Sequence, residues 1–194
     1  MLAELAYACV LSMLGGHAPA APACNTPYLN HIAHAIDSRR YYDVPQDIVV
    51  GVMYHESRFR QFVVSNKGAV GLMQNLRNGS IQGEWRNLSD EQLSDVDLSV
   101  EFGMSYLALM KRKCHRFYLS RYNGAKGGCV PSNYDSGIRA ELRQAKLYVR
   151  ILTGRCQRAE RPERCALEWD RRDGALGKRH RHLVSVKELQ GRSL

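Results

Sequence analysis

The sequence predicts an all-α, mainly helical protein, and three observations lead to this fold class. Apolar residues recur at the three- and four-residue spacing of a helix in several separate stretches. Most of these stretches begin with a capping residue or a proline, as helix N-termini do. No stretch alternates clearly enough to predict a strand, although a small hairpin near residues 76–88 stays open. At 194 residues and 44% hydrophobic content, the chain is long enough for one globular domain with an extension.

The predicted helices follow one another from residue 26. Thr26 is a capping residue, and Pro27 occupies the first position of the first helix. The apolar stripe of this helix is Leu29, Ile32, Ala33 and Ile36. The second helix begins near residues 43–45. Ser89 and Gln92 form a capping box. Further helices are predicted at about residues 95–112 and 137–152, and glycine-containing loops at 65–74 and 120–129.

Glu56 lies on the apolar face of the second predicted helix. The residues at i−7, i−4 and i−3 are Val49, Val52 and Met53. A carboxyl group on such a face loses hydration, which raises its pKa and lets it hold a proton near neutral pH, as a general acid requires. The alternative is a surface ion pair of Glu56 with Arg58 or Arg60 at a frayed helix end.

A zinc site is another alternative for Glu56. His55-Glu56 resembles the first half of a zinc-protease helix, but the second histidine is expected at position 59, where the chain has Phe59. His31 and His34 lie at i and i+3 of a helix, a spacing that more often occurs on a solvated face. The sequence therefore predicts no metal site.

The first 23 residues have the features of a candidate signal peptide. An apolar run from Leu5 to Leu14 precedes Gly15-Gly16 and two small-Pro-small triplets. No Lys or Arg precedes the run and Glu4 lies in front of it, so a misplaced start codon and a mature N-terminal helix stay open. We expect a periplasmic or secreted protein with its domain in residues 24–153; cytoplasmic expression as a phage lysis protein is the alternative.

Basic residues are concentrated at the C-terminus. The chain has 28 Lys and Arg against 19 Asp and Glu, a net charge of +9, and residues 155–194 hold 11 basic and 6 acidic side chains. We expect residues 154–194 to be a basic extension that contacts an anionic wall polymer or a membrane surface. A nucleic-acid-binding module is the remote alternative, since aromatic residues are sparse around the basic run at 178–182. The sequence makes no prediction about the oligomeric state.

Cysteine spacing favours disulfides over zinc ligands. Cys114 and Cys129 enclose fourteen residues, and Cys156 and Cys165 enclose eight, neither of which is the C-x2-C spacing of a zinc module. We expect two local disulfides, Cys114–Cys129 and Cys156–Cys165, with Cys24 left over. Buried free thiols in a reducing cytosol are the alternative.

Five short motifs occur in the order and approximate spacing of a known family. They are ESRF (56–59), GAVGLMQ (68–74), DLSVEFGMSYL (97–107), YNG (122–124) and YVRIL (148–152). Residues 25–153 thereby resemble the soluble lytic transglycosylase (SLT) domain, a relative of goose-type lysozyme. The resemblance implies a lysozyme-like helical domain whose cleft binds the glycan strands of peptidoglycan, without a cofactor.

The resemblance also implies roles for individual residues. Glu56 corresponds to the catalytic acid and base, and Ser57 lies beside it. The residues implied to line the cleft are Gly71, Leu72, Met73 and Gln74. Tyr122 and Asn123 correspond to a pair that orients the sugar and its N-acetyl group, and Tyr148 to a tyrosine near the catalytic carboxylate.

Two departures from the family pattern concern the surroundings of the catalytic position. The family often continues GLMQ with a hydrophobic residue, Met and Pro, whereas this chain has Asn75-Leu76-Arg77. The floor of that loop is therefore expected to differ. The family also often carries an acidic residue four positions before the final tyrosine, where this chain has Gln144, with Glu141 about a turn earlier.

A single catalytic glutamate predicts a particular reaction. When the N-acetyl oxygen of the sugar stabilises the cation that forms, one carboxyl group can carry both proton transfers. We expect cleavage of the β-1,4 bond between N-acetylmuramic acid and N-acetylglucosamine with a 1,6-anhydro product. A hydrolytic muramidase is the alternative, and it would need a second acid such as Asp90, Asp95 or Asp97 to position water. Asp95 and Asp97 are more simply explained as residues at a helix N-terminus.

Overall fold

The described part of the chain is all-α, as predicted. The computed structural model describes residues 6–7, 9–11, 26–81, 83–124 and 128–152. The α-helices are α1 Pro27–Asp37, α2 Gln46–Ser57, α3 Asp90–Leu93, α4 Val96–Cys114, α5 Tyr118–Tyr122 and α6 Asn133–Leu152. Short 3-10 helices occur at Arg40–Tyr42, Gly83–Asn87 and His115–Phe117. The β-structure of these ranges consists of isolated bridges that join Val70 to Val64 and Asn75.

The predicted N-terminal caps are present. The side chain of Thr26 accepts the backbone N–H of Leu29 at 3.2 Å at the start of α1, and Ser89 and Gln92 form the capping box of α3. The carboxylate of Asp95 accepts a first-turn N–H of α4 at 3.0 Å. Such caps satisfy N–H groups that have no partner within the helix, so they fix where each helix begins.

Helix α4 is at the centre of the core. It packs against α1, α3 and α5, while α2 packs against α6. Gly103 of α4 lies against the loop that precedes α3, because a Cβ atom added there would be 2.2 Å from the Sδ of Met73. The loop of residues 63–75 therefore rests directly on the backbone of α4.

Two elements differ from the predicted ones. Helix α6 begins at Asn133, four residues before the predicted start, and its first turn buries Tyr134. The short helix α5 was not predicted, because five residues are too few to show a periodic pattern. In the described part of residues 76–88 the chain forms a 3-10 helix rather than a hairpin.

The predicted Cys114–Cys129 disulfide is present. It ties the C-terminal end of α4 to the segment that leads into α6, with the two Cα atoms 5.0 Å apart. Cys9 is also disulfide-bonded. Cys24, Cys156 and Cys165 lie outside the described residues, so the second predicted bridge stays a prediction.

The described residues near the N-terminus pack on the domain. Tyr7, Cys9 and Val10 are buried, and the ring of Tyr7 stacks on that of Tyr54 with the centroids 4.9 Å apart. The signal peptide predicted at residues 1–23 and its alternative, a mature N-terminal helix, both stay predictions. The basic extension lies outside the described residues. None of the described helices combines the length and hydrophobicity that a bilayer span requires.

Candidate active site

Glu56 lies in the last turn of α2, next to a sharp change in backbone direction. Arg58 and Phe59 have φ angles of 54° and 57°, in the left-handed region, so the helix cannot continue through them. The N–H of Arg58 donates to the carbonyl of Tyr54 at 3.0 Å and closes the helix. This ending leaves Glu56 half-buried at the edge of the core.

Tyr134 of α6 holds the Glu56 carboxyl group. Its hydroxyl donates to Oε1 of Glu56 at 2.5 Å, and the tyrosine itself is only 7% exposed. Burial raises the pKa of Glu56, and this effect outweighs the lowering caused by the Tyr134 hydrogen bond and by the charge of His55. The carboxyl group therefore retains a proton closer to neutral pH than an exposed glutamate does.

His55, Arg58 and Glu141 form a charged cluster beside this hydrogen bond. The Nδ1 of His55 lies 3.3 Å from one carboxylate oxygen of Glu141, and the guanidinium of Arg58 lies 3.4 Å from the other. The hydrogen bond with Glu141 raises the pKa of His55. The His55 ring also meets the Tyr134 ring edge-on, with the centroids 4.9 Å apart. The cluster thus adds contacts between α2 and α6 beside Glu56.

The surface ion pair considered for Glu56 is not formed. The guanidinium of Arg58 donates to the carbonyl of Tyr54 at 3.0 Å as well as to Glu141. The Nε of Arg60 donates to the carbonyl of Ser57 at 3.0 Å. Both arginines are used to stabilise the end of α2, which leaves Tyr134 as the donor to Glu56.

The loop of residues 63–75 carries the implied cleft residues. Gly71 has a φ of +77°, and a Cβ atom there would lie 2.9 Å from the Oγ of Ser99, so the turn requires glycine. Gln74 is also left-handed, with a φ of 49°, and its side-chain amide donates to two loop carbonyls at 3.0 and 3.1 Å. The side chains of Leu72 and Met73 are fully buried. These residues shape the loop from within rather than by exposing their side chains.

Asn75, the first residue at which this chain departs from the family pattern, anchors the loop to α4. It is 1% exposed, and its side-chain amide donates to the carbonyl of Ser99 at 2.9 Å. Its backbone pairs with Val70 in both directions, at 2.9 and 3.0 Å. The expected difference in the loop floor is therefore a polar anchor to α4 where the family often has an apolar residue.

Tyr122 connects the loop to α5. Its hydroxyl donates to the carbonyl of Met73 at 2.7 Å, and burial together with the nearby charge of Glu56 raises its pKa well above the ordinary value. Asn123 follows as the exposed C-cap of α5. Tyr122 thus joins the loop to α5 and lies near enough to Glu56 to feel its charge.

A family model covers the region that contains these groups. Residues 34–143 match the model described as the Transglycosylase SLT domain, which is more than half of the chain. The chain belongs to the transglycosylase SLT domain family. The matched residues contain four of the five motifs and all the side chains around Glu56 described above.

Curated relatives of this SLT domain are named membrane-bound lytic murein transglycosylase C. The protein from Cronobacter sakazakii is 29% identical over 116 residues, which cover 52% of this chain and 32% of that relative. The protein from Sodalis glossinidius is 28% identical over 105 residues, which cover 46% of this chain and 29% of the relative. The chain therefore spans about a third of the length of the curated relatives it matches. No solved structure is a significant match.

Tyr134, the tyrosine beside Glu56 in this SLT domain, was not predicted as a site residue; Tyr148 was predicted instead. Tyr148 lies in α6, fourteen residues after Tyr134, which places it about 21 Å further along the helix axis at 1.5 Å per residue. The Tyr148 side chain lies outside the described part of the structure, so its implied role stays a prediction. A signal for Tyr134 exists in the sequence, since Tyr134, Ile138 and Leu142 recur every four residues and are all buried.

Ser57 points into the core of the SLT domain. It is fully buried, and its hydroxyl donates to the carbonyl of Met53 at 3.0 Å, one turn earlier in α2. This contact anchors the helix end that carries Glu56. The hydrogen bond to Met53 therefore gives Ser57 a structural role. Its implied role in substrate binding stays a prediction.

The three acids considered as a second catalytic group have partners of their own. Asp90 pairs with Arg77, and Asp95 caps α4. Asp97 lies 2.7 Å from the Nε2 of His31, a hydrogen bond that lowers the pKa of Asp97. Among the described residues, no three His, Cys, Asp or Glu side chains are arranged to hold a metal ion.

Proposed function

We propose that this SLT domain is a lytic transglycosylase that cleaves the β-1,4 bond between N-acetylmuramic acid and N-acetylglucosamine, with Glu56 as its single catalytic acid and base. The observation that carries the proposal is the sheltered Glu56 carboxyl group, with a raised pKa and one short hydrogen bond from Tyr134. A general acid works best when its pKa lies near the working pH. The family membership and the names of the relatives support the same activity.

The proposed reaction uses the Glu56 carboxyl group twice, first as an acid and then as a base. Protonated Glu56 gives its proton to the bridging oxygen, the bond from that oxygen to the muramic acid C1 breaks, and the N-acetyl oxygen stabilises the positive charge at C1. The Glu56 carboxylate then takes the proton of the C6 hydroxyl while that oxygen bonds to C1. The product is a 1,6-anhydro sugar, and no water is consumed. The Tyr134 hydrogen bond stabilises the carboxylate between the two transfers.

The surrounding residues receive positioning roles in this proposal. The loop of Gly71, Leu72, Met73 and Gln74 forms one wall of the cleft, and its shape is fixed by buried side chains and by the Gln74 amide. The Tyr122 hydroxyl donates to the Met73 carbonyl, which fixes the distance between the loop and α5. Asn123 is exposed at the end of α5, and its proposed role is to bind the N-acetyl group of the sugar.

Mass spectrometry of digested peptidoglycan tests the reaction. The proposal predicts muropeptides that are lighter by one water than those released by a lysozyme, because the 1,6-anhydro ring replaces the reducing end. Muropeptides with reducing-end muramic acid would instead support a hydrolytic muramidase on the same fold. The partners found for Asp90, Asp95 and Asp97 favour the transglycosylase, since each of these acids is already engaged.

An envelope location follows from the same proposal. The names of the curated relatives describe them as membrane-bound and as acting on murein, which is peptidoglycan. We propose that residues 154–194 bind the chain to anionic wall polymer or membrane through their excess of basic side chains. Deleting these residues is expected to weaken binding to sacculi, mostly at low salt, while cleavage of soluble fragments is kept. Equal loss of both in a sedimentation and digestion assay would contradict this role.

A further inference from the structure

His55 precedes Glu56 in the last turn of α2 and faces α6. A Cβ atom added at Gly137 of α6 would be 3.7 Å from the Cε1 of His55, which is the nearest atom to it. The His55 side chain is 33% exposed. Its ring is therefore a largely covered neighbour of α6, beside the proposed catalytic group.

Two side chains of α6 that flank Gly137 contact His55. Tyr134 lies three residues before Gly137 and Glu141 four residues after it, so both are on the same face of the helix. The rings of His55 and Tyr134 meet edge-on with the centroids 4.9 Å apart, and the Nδ1 of His55 lies 3.3 Å from a carboxylate oxygen of Glu141. His55 thus contacts the tyrosine that donates to Glu56 and an acid that can stabilise a charge on its own ring.

Glu141 favours the charged form of His55. Its hydrogen bond raises the pKa of the imidazole, which burial and the charge of Arg58 lower and the charge of Glu56 raises. Arg58 is itself paired with Glu141, at 3.4 Å. The buried Tyr7 hydroxyl also feels the charge of Glu141, but burial raises the pKa of Tyr7, so this hydroxyl stays neutral. The charge of His55 therefore depends on Glu141.

Among the described groups that interact with Glu56, His55 is the one that changes charge near neutral pH. Burial raises the pKa of Glu56, while the Tyr134 hydrogen bond and the charge of His55 lower it. Burial raises the pKa values of Tyr134 and Tyr122 well above the ordinary value, so both of these neighbours stay neutral. A protonated His55 therefore opposes the effect of burial and stabilises the ionised form of Glu56.

We propose that His55 is a positioning residue whose positive charge, maintained by Glu141, makes Glu56 a stronger acid toward the bridging oxygen and stabilises its carboxylate between the two proton transfers. This inference rests on the proposed function and deepens it. His55 keeps its own proton throughout, so Glu56 is the group that exchanges protons with the glycan. Without the charge on His55, Glu56 holds its proton more tightly and loses it at a higher pH.

Titration of Glu56 in the full-length protein tests the proposal without a substrate. The side-chain carboxyl resonance is followed against pH by carbon-13 NMR and is assigned by its absence in Glu56→Gln. His55→Phe keeps a ring that can meet Tyr134 edge-on but has no charge, so Glu56 is expected to titrate at a higher pH than in the parent. His34→Phe makes the same change at an exposed position of α1 and should leave the titration unchanged.

Glu141→Gln provides a test in which the direction of the change decides. Removing a negative charge that acted directly on Glu56 would let Glu56 ionise at a lower pH. If Glu141 acts through His55, the variant loses the imidazolium near neutral pH, and Glu56 should titrate at a higher pH. In the His55→Phe background the same substitution should therefore cause no upward change.

The pH dependence of muropeptide release is the second readout. Cleavage should fall as the pH rises and Glu56 loses its proton. At a pH where the parent has lost most of its maximal rate, His55→Phe should keep about 3-fold more of its own maximal rate, a modest effect because His55 is partly exposed to solvent. A role of His55 in packing alone would lower the maximal rate and leave the pH profile in place.

The titration and the cleavage assay separate this inference from the proposed function. An unchanged or lowered titration of Glu56 in His55→Phe or Glu141→Gln would overturn the inference, whether or not the protein cleaves glycan. An equal upward change by Glu141→Gln with and without His55 would also overturn it, because Glu141 would then not act through the histidine. If Glu56 titrates as expected but the parent releases no muropeptides, the charge effect of His55 stands and the proposed function fails.

Discussion

Glu56→Gln is expected to reduce the rate of glycan cleavage by at least about 10³-fold, because one group is proposed to carry both proton transfers. Glutamine keeps the size of the side chain and an oxygen that can accept from Tyr134, but it has no proton to give to the bridging oxygen. The measurement is the rate of muropeptide release from purified sacculi. A variant that keeps a tenth or more of the parent rate would contradict the proposed chemistry.

The same variant is expected to gain stability at neutral pH. The pKa of Glu56 is raised on folding, mainly by burial, from an ordinary value of 4.5. Its stabilising contribution is therefore fully present below the unfolded pKa and is lost as the pH rises through the folded pKa, because the ionised carboxylate is the buried form that folding disfavours. Glutamine stays neutral. Urea unfolding should show equal stabilities of parent and variant near pH 4 and a more stable variant near pH 8.

An exposed glutamate provides the control for both measurements. Glu91 lies on the exposed face of α3, and Glu91→Gln makes the same chemical change without burial. It should change neither the cleavage rate nor the pH dependence of unfolding. A loss of activity in both variants would point to a general charge effect rather than to proton transfer by Glu56.

The sequence predicted the elements that depend on local chemistry. The caps at Thr26, Ser89 and Asp95 are present because each is a short-range bond between a side chain and the next turn. The position of Glu56 at the edge of the core followed from three apolar residues within two turns. The Cys114–Cys129 bridge closes a local loop, for which spacing is informative.

The parts that were missed depend on contacts between distant segments. Tyr134 reaches Glu56 across 78 residues, and His55 reaches Glu141 across 86. The predicted start of the last helix, near Gly137, left Tyr134 in a loop, because the polar residues from Ser132 to Ser136 weaken the apolar pattern. No local sequence pattern predicts that α6 packs against the last turn of α2. The contacts of these two pairs of side chains therefore could not be predicted without knowing how α2 and α6 pack.

Gly103→Ala is expected to destabilise the domain, although alanine is the better helix former. A Cβ atom at this position would lie 2.2 Å from the Sδ of Met73 and 2.7 Å from its Cβ and Cε. The helix propensity of alanine favours the variant by about 1 kcal/mol. Overpacking of a rigid core costs about 1–3 kcal/mol or more. Met73 has little freedom to move away, because its N–H donates to the Oγ of Ser99 and its carbonyl accepts from Tyr122. The clash should therefore outweigh the propensity.

Gly137→Ala is the matched control for this prediction, and urea unfolding of both variants is the measurement. The nearest atom to an added Cβ at Gly137 is the Cε1 of His55 at 3.7 Å, an ordinary contact, so this variant should gain up to about 1 kcal/mol of helix propensity. Adding Met73→Ala to Gly103→Ala removes the two contacts beyond the Met73 Cβ and should recover part of the loss, as a double-mutant cycle would show. Because the same clash pushes the loop away from Tyr122, Gly103→Ala should also lose cleavage at temperatures where it remains folded. A Gly103→Ala protein as stable and active as Gly137→Ala would mean that the loop does not rest on α4.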